Sequence, residues 1–301
     1  MTQPEEIESI AIVTAHMSFD RHGGAIYSRH CVAQELEAAG YGVTIYTLNF
    51  SDENNVPVEH DYDLVETRVD SRTIVDGVYS FLREHVAGYF EHDLVHVYVP
   101  GIIPLVGLYR KVSGDSTPTV ATLNGYTPFC TNTEQMGDGC WKDCSLLDKV
   151  VHAHRGPAGE FTANNFPRMV FNQYGTIPLM NELDAYFCLS PSVRQIYRDV
   201  GVDDDLLEVV PNMVDREFSD PDVAPTVADG GGRDETRILY VGRVDAMKSI
   251  GNLLDAVAEM TADSESFHVD IVGDNILEYG QSLDGYRADA QQLGIAGQVT
   301  F

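Results

Sequence analysis

The chain has 301 residues, 44% of them hydrophobic, and a formal net charge of −28. That is enough apolar material for one large or two moderate cores, and it excludes a disordered chain. The charge excludes nucleic acid and anionic membrane as electrostatic partners, leaving at most a weak peripheral membrane contact. Acidic residues are spread along the chain, and lysine occurs only at Lys111, Lys142, Lys149 and Lys248. A dispersed, lysine-poor acidic surface is a solubility property of the whole molecule, read here as adaptation to a salty cytoplasm, as in a halophile. No leader and no apolar run of spanning length is seen, and five scattered cysteines do not form a disulfide scaffold, so a reduced cytoplasmic protein is expected.

Ser9 to Ala15 reads as a short buried strand. A loop with His16 and the pair Gly23-Gly24 follows it. A helix then runs to about Ala39, with Ala25, Val32, Leu36 and Ala39 on one face, and Gly42 to Thr47 is the next strand. Strand, helix and strand make a βαβ unit and hence a parallel sheet. The glycine pair sits beyond the end of the first strand, where such sheets take ligands; it is equally readable as a tight turn with no ligand. Asn49 to Asp70 reads as a polar surface excursion. Helices at 74–90 and 102–112 then alternate with strands at 93–99 and 119–123, the latter ending at Asn124-Gly125.

Residues 126–144 hold Cys130, Cys140, Cys144 and the only tryptophan, Trp141. Three thiolates with His152 or His154 could bind zinc, although the spacing fits the usual pairs poorly; the other reading is a loop packed by thiols and an indole. Residues 146–173 are largely helical. A strand at 184–189 leads to Ser190, read as the cap of a helix with Pro191 in its first turn. A strand at 206–210 precedes Pro211-Asn212, and the Asp-, Pro- and Gly-rich residues 215–234 read as a linker. This divides the chain into domains 1–215 and 216–301.

After the linker, Ile238 to Val241 reads as a buried strand, Gly242 ends it, and Arg243 and Lys248 lie on the turn before a helix starting near Ser249. Two cations on a glycine turn at a helix N-terminus make an anion site. A strand at 267–272, ending at Gly273-Asp274, a helix at 282–293 and a strand opening at Val299 follow.

Four motifs in this order resemble the retaining, GT-B-fold glycosyltransferases of family 4. They are Gly23-Gly24-Ala25, Leu189-Ser190, Val209-Val210-Pro211-Asn212-Met213-Val214-Asp215, and Val241-Gly242-Arg243-Val244 with Lys248. The resemblance implies an α/β chain of two Rossmann-like doubly wound domains. It implies metal-independent transfer of a sugar from a nucleotide-diphosphate donor to a glycan, lipid or small-molecule acceptor, with no cofactor. Arg243 and Lys248 would stabilise charge on the departing diphosphate as the catalytic cations. Gly23, Gly24 and Gly242 would border that diphosphate. His16 and Asn124 would lie on the acceptor side and Asn212 at the hinge. Asn124 stands where the family commonly has histidine, and asparagine carries no proton in general base catalysis. Ser249 replaces the usual glycine. The family's E-x7-E element is not found before Phe301, so the second domain is expected to be incomplete. The competing readings are a non-catalytic glycosyltransferase-like protein that binds acceptor or partner, and a Rossmann-like nucleotide binder, the latter disfavoured by the lack of a G-x-G-x-x-G fingerprint.

Overall fold

In the computed structural model the described residues are 7–15, 24–49, 62–68, 78–130, 139–155, 166–213, 236–262, 267–275 and 281–301. The chain divides into two compact units, Met1–Pro221 and Asp222–Phe301.

The first unit is built on seven parallel strands: β1 (Ser9–Thr14), β2 (Gly42–Asn49), β3 (Asp63–Arg68), β4 (Leu94–Val97), β5 (Thr119–Leu123), β6 (Ala185–Cys188) and β7 (Leu207–Val209). Their order is β3-β2-β1-β4-β5-β6-β7, so the winding reverses between β1 and β4. Along β1, Ala11 and Val13 enter one apolar cluster while Ile10 and Ile12 enter another, which is the mark of a sheet covered on both faces. On one face the helix Ile103–Ser113 crosses Thr176–Met180 very closely. A Cβ on Gly107 would lie 1.9 Å from the Leu179 carbonyl oxygen, so only glycine fits there.

The excursion expected at 49–70 contains β3. Its residues pair in parallel with β2, Leu64 opposite Ile45 and Glu66 opposite Thr47. It is an edge strand carrying Asp63, Glu66 and Arg68, and edge strands tolerate the polarity that made it look like loop. The helix α1 (Gly24–Ala38) also differs from expectation. It buries Ile26, Ser28, Arg29, His30, Cys31 and Ala33, whereas Ala25, Val32 and Leu36 are only half-buried and Ala39 lies beyond its end.

The second unit has three parallel strands, β8 (Thr236–Val241), β9 (Phe267–Val272) and β10 (Val299–Thr300), in the order β10-β9-β8. The helices Ile250–Ala262 and Leu283–Gln292 cover one face through Leu254, Val257, Tyr286 and Ala290. The expectation that β8 is wholly buried is corrected: Leu239 is 66% and Val241 71% exposed. They alternate with Ile238 and Tyr240, which pack on the core, so β8 is buried on one face.

Gly107→Ala is expected to destabilise the first unit by about 1–3 kcal/mol, the scale of forced overpacking, as read from its urea unfolding midpoint.

Candidate functional site

The turn after β8 is organised by a carboxylate. Asp245 is fully buried, and its Oδ1 accepts a hydrogen bond from the Lys248 backbone N–H at 3.0 Å. Its Oδ2 lies 3.1 Å from Arg243 Nε, an ion pair whose angle falls outside hydrogen-bond geometry. Asp245 therefore caps the short 3-10 helix Ala246–Lys248 and holds the arginine next to it. Tyr240 Oη donates to the Arg243 carbonyl at 2.9 Å, closing the turn from the strand side. Burial first, and then the Asp245 charge, hold the Tyr240 hydroxyl above its usual pKa, so it remains a donor. Arg243 is 28% exposed at its side chain, and Lys248 is exposed.

The backbone of this turn hangs on β9. Gly242 N–H donates to Val272 O at 3.0 Å and Val244 N–H to Asp274 O at 2.9 Å. A Cβ on Gly273 would fall 1.9 Å from Gly242 O, so the strand ends meet at contact distance. Asn275 Nδ2 donates to Val244 O at 2.5 Å and to Gln281 O at 3.0 Å, and its Oδ1 accepts from the Leu283 N–H at 3.2 Å. One amide thereby ties the Arg243 turn to the start of the next helix.

The α-helix begins at Ile250, near Ser249 as expected, and Lys248 lies on the turn before it, in the 3-10 helix Ala246–Lys248. Ser249 has φ 57° and is the one non-glycine residue with positive φ among the described residues. Its left-handed backbone explains why glycine suits this position, and serine holds it at about 1–2 kcal/mol of strain.

In the first unit a polar cluster gathers at the C-terminal ends of β1, β4 and β5. Arg29, 6% exposed, reaches from α1 to Thr14, the last residue of β1, through Nη1. Its Nε donates to Ala25 O at 2.7 Å, and its guanidinium lies over the Tyr98 ring at 5.8 Å. Burial lowers its pKa to about 10, with Tyr98 opposing, which leaves it charged at neutral pH. Tyr98 stacks at 4.2 Å on His96, whose Nε2 meets Thr122 Oγ1 at 2.9 Å. Asn124 Nδ2 donates to the Tyr98 carbonyl at 3.2 Å. Burial pushes the His96 imidazole down to about 3, so it is neutral. Arg29, His96 and Tyr98 were not singled out from the sequence because nothing in local spacing marks them; the available signal was an arginine early in a helix that follows a buried strand and a histidine inside an apolar strand run.

Of the residues expected at the site, the structure brings Gly242, Arg243 and Lys248 onto one turn. It sets Gly24 at the head of α1, where an added Cβ would meet nothing within 4 Å. Asn212 is exposed after β7. Gly23 and His16 lie outside the described residues. Among the described residues no group of three His, Cys, Asp or Glu could hold a metal ion, and the side chains of His152 and His154 lie outside them. None of Cys130, Cys140 and Cys144 forms a disulfide among the described residues. Trp141 Nε1 instead donates to Asp199 Oδ2 at 3.2 Å, and Trp141 and Cys130 pack on the core, as a structural loop would. No helix among the described residues is long and apolar enough to cross a membrane. Ser190 caps its helix as expected, accepting from the Val193 N–H at 3.3 Å.

Asp245→Ala removes both a cap and the partner of Arg243, and is expected to lower stability of the second unit by about 2–4 kcal/mol in urea unfolding, with Asp245→Asn costing less. His96 makes a separate expectation. Its folded pKa lies below the unfolded value, so the stability it contributes is complete above about pH 6.5 and is lost as pH falls toward 3. Between pH 6.5 and 5 this amounts to about 2 kcal/mol, and His96→Gln should lose less stability than the wild type over that interval. Half-buried His92, also lowered chiefly by burial, acts in the same direction in both proteins.

The sequence matches the description Glycosyltransferase Family 4 over residues 22–218. No curated protein matches the chain. Among solved structures, the apo form of the lipopolysaccharide outer core galactosyltransferase WaaB is similar, with a TM-score of 0.59, 15% identity, and 97% of this chain and 67% of that chain covered. Anabaena HepE in complex with UDP aligns with a TM-score of 0.58 at 14% identity, covering 97% of this chain and 68% of its own. Sucrose-phosphate synthase from Thermosynechococcus elongatus aligns with a TM-score of 0.56 at 16% identity, covering 98% and 70%. The chain thus spans about two thirds of the length of these proteins, and the likeness carries the fold, a GT-B arrangement of Rossmann-like α/β domains. With the family match running from the foot of α1 past β7, and so through most of the seven-stranded unit, the chain belongs to glycosyltransferase family 4.

Proposed function

We propose that the protein transfers a sugar from a nucleotide-diphosphate donor to a glycan, lipid or small-molecule acceptor, with retention of configuration and without a metal ion or cofactor. The observation that carries this reading is the turn Gly242–Lys248, where a buried carboxylate holds a guanidinium and caps the backbone from which an exposed ammonium projects. The leaving nucleoside diphosphate gains negative charge in the transition state, so fixed cations at that place stabilise it more than the ground state. Arginine offers two parallel donors to phosphate oxygens and lysine a compact point charge. In this reading these cations do the work that a divalent ion does elsewhere.

Gly24 supports the same reading. Neither a positive φ nor a neighbouring atom among the described residues demands glycine there, which suits a backbone at the head of α1 approached closely by a ligand. Solved relatives of similar fold include HepE in complex with UDP-glucose, an example of the donor class proposed here. In this reading the domains are 1–215 for the acceptor and 216–301 for the donor, with Asn212 at the hinge, Gly23 beside the donor phosphates and His16 and Asn124 beside the acceptor. The Asn124 amide already donates to Tyr98 O, so it acts by orienting an acceptor hydroxyl and not by removing its proton.

Arg243→Ala and Lys248→Ala are each expected to reduce turnover of a nucleotide sugar by about 10²-fold, the scale of one lost transition-state contact. Measured with UDP-glucose and a panel of other nucleotide sugars, turnover near wild type in both variants would exclude the diphosphate role.

A further inference from the structure

The first unit holds a buried cation that faces no carboxylate among the described residues. Arg29 is 6% exposed, and its guanidinium meets a carbonyl, a hydroxyl and a ring face. No carboxylate pairs with it, and Nη2 has no hydrogen-bond partner among the described residues. A guanidinium cannot escape burial by losing its proton at neutral pH, so a cation this enclosed is costly until an anion joins it. Dipoles such as Thr14 Oγ1 and Ala25 O solvate the charge without neutralising it.

Arg29 sits where an open parallel sheet takes its ligands. Thr14 ends β1 and Tyr98 follows β4, the two strands between which the winding reverses, and ligands of open parallel sheets lie outside the carboxyl ends of strands at that reversal. Asn124, the residue assigned to the acceptor, hangs on the carbonyl of the same Tyr98 whose ring lies under Arg29. The whole chain carries −28, so the average field repels anions, and an anionic ligand needs a local cation to be held.

We propose that Arg29 is the anion anchor of a binding site on the first unit, and that its partner is an oxyanion, a carboxylate or a phosphate, carried by the acceptor. The proposal rests on the reading of this unit as the acceptor side, and it narrows that acceptor to an acidic molecule. Such a site discriminates strongly, because a neutral analogue leaves the buried charge unpaired.

The test uses the full chain carrying Arg243→Ala and Lys248→Ala, so that the donor-phosphate cations do not contribute. Calorimetric titration with D-glucuronate, inorganic phosphate and D-glucose should give binding of at least one anion, with glucose 10-fold weaker or more. Glucuronate alone would indicate a carboxylate, and phosphate alone a phosphate. Adding Arg29→Met should abolish the preference for anions over glucose, and Arg29→Lys should retain part of it. Equal binding of glucose and the anions, no binding of either anion, or a preference unchanged by Arg29→Met would overturn the proposal. If Arg29→Met does not fold, a change of less than twofold in Arg29→Lys overturns it instead. The donor reading fails separately, if the doubly substituted chain binds UDP as tightly as the wild type.

Discussion

Everything about the second unit's turn depends on one buried carboxylate. Asp245 is inaccessible to water, yet each of its oxygens has a cationic or N–H neighbour, Arg243 on one side and the Lys248 backbone on the other. Removing a carboxylate from water is tolerable only on those terms. The arginine thus loses little rotamer freedom on meeting an anion, because the carboxylate has already restricted it. Ser249, held in the left-handed region, then redirects the chain into the helix that begins at Ile250.

The first unit solves a different problem with the same economy of means. Its strands run parallel and are covered on both faces, so polar chemistry can collect only at their ends. That is where Thr14, His96, Tyr98, Thr122 and Asn124 meet, with Arg29 arriving from α1. His96 stays neutral because it is enclosed, while Arg29 stays charged in spite of being enclosed. Two basic side chains in one cluster therefore take opposite charge states, as their intrinsic basicities dictate.

The alternation of strand and helix was legible because buried parallel strands are continuous apolar runs, and β1, β2 and β5 read so directly. So were Ser190 as a cap and the cations of the β8 turn, which chemistry marks by residue type. The edge strand β3 was not legible, since half its residues face water and pair only on one side. The exposure of Leu239 and Val241 was not legible either, because an apolar run does not say how many faces are covered. The roles of Asp245 and Arg29 were hidden for a related reason. Their partners are fixed by the turn and by register between strands distant in sequence, and a burial that contradicts residue type is visible only in three dimensions.

The meeting of Gly273 with Gly242 has a bearing on how the protein can change. Arg243 takes its place from two main-chain hydrogen bonds to the end of β9 and from the absence of a side chain at Gly273. The position of the cation is consequently insulated from the identity of the residues filling the core beneath it. Val257, Leu254 or Ile271 could drift among apolar types of similar volume while the cation stayed where it is. At Gly273 there is no such latitude: a single added carbon would press on the Gly242 carbonyl and displace the turn that carries Arg243.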